Sequence, residues 1–159
     1  MRWRFTDKVL AFAPWQAIVT LKAGSLEEYS LLERWGQPGE APAILTLEAC
    51  IQSARWLVEA SSAFSQTIEP LEISRWLVMA GLRPGERLRV SLRVTSHSAE
   101  HIGFNAWQDR LLAGQTDIGP DASPHTATEP DLHFSAVLAP LAGYCLPIDR
   151  ACSWRELTA

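Results

Sequence analysis

The plainest pattern in the chain is alternation. From Arg87 to Thr95, Leu88, Val90, Leu92 and Val94 alternate with Arg87, Arg89, Ser91 and Arg93. A period of two sends successive side chains to opposite faces of a strand, so this segment is predicted as a strand with one buried and one wet face. Ile102, Phe104 and Ala106 alternate in the same way. Asp109-Arg110 is expected to turn the chain, with Leu111 to Thr116 returning. Leu132, Phe134, Ala136 and Leu138 predict a further strand, and Gln16 to Ala23, with Ile18, Val19, Thr20 and Leu21, another. Lys8 to Phe12 is a short apolar segment closed off by Pro14.

Between the outer strands the period changes. From Ala43 to Ser61 apolar residues occur nearly all round a helix: Ile44, Leu45, Leu47, Ala49, Cys50, Ile51, Ala54, Trp56, Leu57 and Val58. The long polar residues Glu48, Gln52, Arg55 and Glu59 fall on a single stripe. Such a helix is mostly buried, and Pro42 is a good first position for it. Ser25-Leu26-Glu27-Glu28 resembles a cap followed by acids and predicts a short helix through Leu32. Arg34 to Pro42, rich in Gly and Pro, reads as an ordered loop, Pro84-Gly85 as a turn, and Gly119 to Pro130 as a Pro-rich loop. Asp149 to Leu157 is expected to form a short terminal helix. Strand, long central helix and antiparallel meander make an α+β chain with one helix laid on one sheet. One small sheet cannot cover a helix apolar on nearly every side, so a dimer is expected.

Composition narrows the setting. The chain has 159 residues, 47% hydrophobic and 20% charged, which suits one globular domain over residues 1–159 and excludes a disordered chain. A net charge of −4 supplies no basic field for nucleic acid or anionic lipid. No apolar run approaches the roughly 18 residues of a membrane span. Three Cys without a CxxC spacing fit a reducing compartment, and the N-terminus lacks the apolar stretch of a signal peptide, so the cytoplasm is the expected location.

Candidate chemistry is sparse. There is no G-x-S-x-G elbow, no GxGxxG and no P-loop spacing. Cys50, among apolar neighbours, reads as a buried structural thiol. His97 and His101 are four apart, a metal-binding spacing on a helix, but here they join two strands and read as a solvated turn; no metal or cofactor is expected. Glu48 is the residue of interest. Set into an apolar helix, it is either a general acid with a pKa raised by desolvation, or one member of a solvent stripe shared with Arg55 and Glu59.

Several motifs resemble one family. Asp7-Lys8-Val9-Leu10 with Phe12 is similar to its D-R-(apolar)-L-x-F opening, and Lys22, Ser25 and Glu28 fall where it has Lys, Ser and Glu. Pro42 with Ala43-Ile44-Leu45-Thr46-Leu47-Glu48-Ala49-Cys50-Ile51-Gln52 is similar to P-G-V-L-x-x-E-A-x-x-Q, and Pro84-Gly85-Glu86 to its P-G-D turn. On these residues the chain resembles the bacterial 3-hydroxyacyl acyl-carrier-protein dehydratases, which have the hotdog fold. The resemblance covers a core of about residues 3–118, leaving the loop 119–130 and a C-terminal extension 131–159 outside it. It implies an antiparallel sheet wrapped around one long central helix, a dimer, and a thioester of acyl carrier protein or coenzyme A as substrate in fatty acid or polyketide-type metabolism.

In that family a His removes the α-proton, a Glu from the partner's central helix protonates the departing hydroxyl, and backbone N–H groups at the helix start polarise the thioester carbonyl. Glu48 matches the Glu. The His position is occupied by Arg34, within Arg34-Trp35-Gly36-Gln37, and Arg cannot accept a proton. His97, His101, His125 and His133 all lie after the helix. The resemblance assigns substrate contact to Trp35, Gly36, Gln37, Pro42, Ala43 and Gln52. Three readings follow. The chain is an impaired subunit that binds acyl thioesters or pairs with an active paralogue, with Arg34 and Glu48 paired across the interface. Or it is a working thioesterase, altered dehydratase or isomerase that uses Glu48 alone. Or it is a structural partner whose tunnel is filled by Trp35, Trp56 and Trp76. Arg83, Arg87, Arg89 and Arg93 form either a solvated strand face or a dock for an acidic carrier protein.

Overall fold

A computed structural model describes residues 6–24, 41–77, 81–112 and 129–141. They form β1 (Lys8–Ala13), β2 (Ala17–Ala23), α1 (Ile44–Ser61), β3 (Gln66–Trp76), β4 (Arg87–His97), β5 (His101–Leu111) and β6 (Leu132–Pro140). The strands make one antiparallel sheet in the order β1-β2-β4-β5-β6-β3. The chain is α+β, with α1 packed against β2, β3 and β4. Among the described residues, no helix is long and apolar enough to cross a membrane.

The core follows from the two periods. Alternate residues of four strands face the helix and are buried: Ile18 of β2, Val90 and Leu92 of β4, Ile102 and Phe104 of β5, Leu132 and Phe134 of β6. Cys50, Ala54, Leu57 and Val58 of α1 come down on them. Phe104 and Phe134 are register partners, and their rings stack with centroids 4.9 Å apart. Each large side chain buried here contributes roughly 1.5–3 kcal/mol. Within this core the Thr20 and Ser53 hydroxyls lie 2.7 Å apart across the layer, and Ser53 also donates to the Ala49 carbonyl.

Three turns depend on left-handed backbone. Gly85 (φ 84) makes the turn before β4, where the Glu86 N–H donates to the Arg83 carbonyl. After α1, Ala63 (φ 51) and Phe64 (φ 60) reverse the chain into β3 without a glycine. Between β1 and β2, Pro14 and Trp15 follow the type II pattern, with the Gln16 N–H on the Ala13 carbonyl at 3.0 Å and φ 57 at Trp15, where glycine is favoured. A non-glycine residue in this region costs roughly 1–2 kcal/mol.

The central helix, the strands at 17–23 and 87–97, the alternation of β6 and the Pro84-Gly85 turn agree with the sequence reading. Four points differ. Asp109 and Arg110 do not turn the chain: β5 runs on through them to Leu111, and Asp109 lies opposite Arg89 with its carboxylate 2.8 Å from the guanidinium. A cross-strand ion pair had the look of a polar turn. Pro42 precedes the helix instead of opening it; α1 begins at Ile44 with Ala43 as its cap residue. Ser91 is buried as well as its neighbours, so the wet face of β4 becomes exposed only at Arg93. β3, which no sequence pattern announced, forms the outer edge beyond β6. The expected helix 25–32, the greater part of the loop 34–42, the returning segment from residue 113, the loop 119–128 and the terminal helix 149–157 lie outside the described residues.

Candidate functional site

The polar stripe of α1 is real and half-buried along its length. Glu48, Gln52, Arg55 and Glu59 are neither covered nor fully exposed. Their spacing puts them on one side of the helix, beside the buried set Leu47, Cys50, Ala54 and Val58. The Gln52 amide donates to Glu48 Oε1 at 3.4 Å, a long bond one turn apart. Further down, Glu59 Oε1 accepts from the Thr67 hydroxyl at 2.8 Å, which ties the stripe to β3. A carboxylate held this way can accept a proton or hydrogen-bond a ligand without its charge being sealed from water.

The start of α1 carries no side-chain cap. The Leu45 and Thr46 N–H groups donate to the Pro42 and Ala43 carbonyls at 2.9 Å, and the Thr46 hydroxyl donates to Ala43 at 2.8 Å. Two of the donors that a helix start offers are thus engaged in a tight first turn. Pro42 is exposed and Ala43 half-buried. Arg34, Trp35, Gly36 and Gln37 lie outside the described residues, so the structure brings together Glu48, Gln52, Pro42 and Ala43 on one helix and its entry, without the loop that carries the Arg.

Of the three tryptophans expected to fill a tunnel, Trp35 lies outside the described residues. Trp56 is 44% exposed on α1, so it fills nothing within this subunit. Trp76 packs against the core. Among the four arginines, Arg89 is committed to Asp109, bonding through Nε at 3.1 Å as well, while Arg93 is exposed.

Polar groups on the helix-facing side of the sheet are a second feature. Thr20 is paired with Ser53, and Lys22 is buried with its ammonium 3.4 Å from Asp7. Gln108 of β5 is buried with neither amide atom hydrogen-bonded among the described residues, although its backbone N–H donates to Asp131 at 2.7 Å. Trp76 Nε1 is likewise buried without a partner among the described residues. Cys50 lies fully buried; burial, and secondarily the Asp131 carboxylate, push its thiol far above the usual range. A thiol so held is a poor nucleophile. Gln108 continues the series Ile102, Phe104, Ala106, so an amide where the alternation asks for hydrocarbon was the available signal.

His97 and His101 sit at the two ends of the β4–β5 turn, where the Ser98 N–H donates to the His101 carbonyl at 2.8 Å. Comparison of the chain with protein-family models and with curated proteins finds no match.

Proposed function

We propose that this chain is a hotdog-type subunit that binds acyl thioesters of acyl carrier protein or coenzyme A and is impaired in the usual dehydration. The observation that carries this reading is Glu48, half-buried on the one central helix with Gln52 a turn below it, within a motif similar to that of the dehydratases. The layered architecture, one helix on an antiparallel sheet, supports it. With Arg34 at the position of the His, proton removal lacks its base, and the loss of a general base typically lowers the rate by about 10²–10⁴. Glu48 then serves ligand binding, or pairs with Arg34 of a second subunit.

The second subunit is proposed to add along β3. Its outer edge has no strand beside it among the described residues, and it exposes Leu71, Ile73 and, just beyond, Leu77. An eleven-residue edge with exposed apolar side chains is a template for pairing. A twofold contact between two β3 strands joins the sheets and covers apolar surface left open in one subunit. An active dehydratase paralogue with a similar edge is the alternative partner.

A panel of 3-hydroxyacyl and acyl thioesters, on coenzyme A and on carrier protein, tests the reading by melting temperature and turnover. The expected result is a rise in melting temperature with little turnover, since a ligand that binds the native state stabilises it. Glu48→Gln is expected to reduce the shift. Rapid dehydration by the chain alone overturns the impairment, and the absence of a shift with every thioester overturns the binding. Thioester hydrolysis abolished by Glu48→Gln would replace the proposal with a thioesterase that uses Glu48 alone.

A further inference from the structure

A groove of about 490 Å³ opens at the start of β2, where β4 runs on past it. The last pairing of the two strands is Ala17 with Arg93, and the Val94 N–H still reaches the Gln16 carbonyl at 2.8 Å. Thr95, Ser96 and His97 run on beyond it and line the groove together with Arg93 and Trp15. The Trp15 N–H donates to Ser61 Oγ at 2.9 Å, which fixes the groove at the C-terminal end of α1. Glu48 lies thirteen helical residues away, roughly 20 Å at the helical rise. A ligand here is therefore separate from a thioester at Glu48.

Three features of the groove point to one kind of ligand. The first is a stacked aromatic pair, with Trp15 against the core and His97 exposed. Trp15 and His97 stack with ring centroids 4.6 Å apart and planes 12° from parallel. Trp15 holds the turn position where glycine is favoured, so the chain keeps a large ring at a strained site. The second is charge. The Arg93 guanidinium is exposed, has no ion-pair partner among the described residues, and shares the groove with no acidic side chain. The third is a pair of hydroxyls. β4 carries an irregularity between Val94 and Ser96, opposite Phe104 and Gly103. A Cβ on Gly103 would lie 2.6 Å from Ser96 Oγ and 2.8 Å from Thr95 Oγ1, so the bare glycine leaves room for both hydroxyls side by side. Bulges of this kind re-aim side chains at binding sites.

We propose that this groove binds a small organic anion built on a planar ring. The ring stacks on the exposed face of His97 in the Trp15–His97 pair, and Arg93 takes the anionic group through charge-assisted hydrogen bonds, with Thr95 and Ser96 lining the groove beside it. The volume is that of a small-molecule site. Nucleotides and aromatic carboxylates share this chemistry.

The full-length chain labelled with ¹⁵N and titrated with AMP, benzoate and inorganic phosphate tests the assignment. At least one of the two ring anions is expected to shift the Trp15 indole resonance and the amides of Thr95, Ser96 and His97, and to bind about tenfold or more tightly than phosphate. Which one binds separates a nucleotide from an aromatic carboxylate. Arg93→Ala, on an exposed side chain that leaves the fold intact, is expected to weaken binding about tenfold. Trp15→Gly suits the turn backbone and is expected to bring the ring anions down to the affinity of phosphate. The proposal is overturned if neither ring anion shifts these resonances at millimolar concentration, if phosphate binds as tightly as both, or if Arg93→Ala leaves binding unchanged.

Discussion

Ser53 and Thr20 show what one buried polar contact does in this core. Both side chains are almost wholly covered, and their hydroxyls satisfy each other 2.7 Å apart. Ser53→Ala is expected to lower stability by about 1–2 kcal/mol, because the Thr20 hydroxyl then stays buried without that partner. Adding Thr20→Val is expected to recover part of the loss, and urea denaturation of the two variants measures the coupling. Cys50 gives a pH dependence. Its thiol stays protonated in the folded chain far above the range in which it ionises when unfolded. At high pH the unfolded state therefore releases a proton that the native state retains. Stability is present in full below the unfolded pKa and falls above pH ~9, by up to about 1.4 kcal/mol for each pH unit. The same titration of Cys50→Ala should show a shallower fall. Single residues were legible where hydrocarbon surrounds them, as at Cys50. They were illegible where the partner comes from a distant strand: nothing near Asp109 in sequence reveals Arg89.

The elements divide along similar lines. α1 could be read almost to the residue, because eighteen positions of helical period outweigh any local ambiguity. β3 could not. Pro70 interrupts it, and its pairing with β6 slips twice, between Pro70 and Glu72 and again between Ile73 and Arg75, so no alternation survives along it. The polar stripe that marks the candidate site was visible from spacing alone, whereas its tie to β3 through Glu59 and Thr67 was not. The reversal between α1 and β3 carries a prediction of its own. Ala63 sits at φ 51, where a Cβ is disfavoured. Ala63→Gly should raise the urea midpoint, with a gain of about 0.5–1 kcal/mol after the greater freedom of glycine in the unfolded chain is set against the relieved strain.

For the whole molecule, the proposed β3 contact makes a direct prediction. Ile73→Lys places a charge on the exposed edge, and sedimentation at micromolar concentration should then show a smaller species than the parent chain, with an unchanged far-ultraviolet spectrum. A parent that sediments as a monomer counts against the contact. The α+β layering was legible in the sequence because both periods are strong, while the strand order was not, since it depends on which edges meet. That order has a consequence for how the chain assembles. β3 leaves α1 early, yet among the described residues its only neighbour in the sheet is β6, which pairs Gln66 with Pro140 and Trp76 with Leu132. During synthesis β1, β2, α1 and the β4–β5 hairpin emerge before any partner for β3 exists. The entropy of closing so long a loop must be met before the pairing returns anything. Closure of β6 between β5 and β3 is thus a late, slow event in folding, and until then β3 exposes two bare edges to other chains.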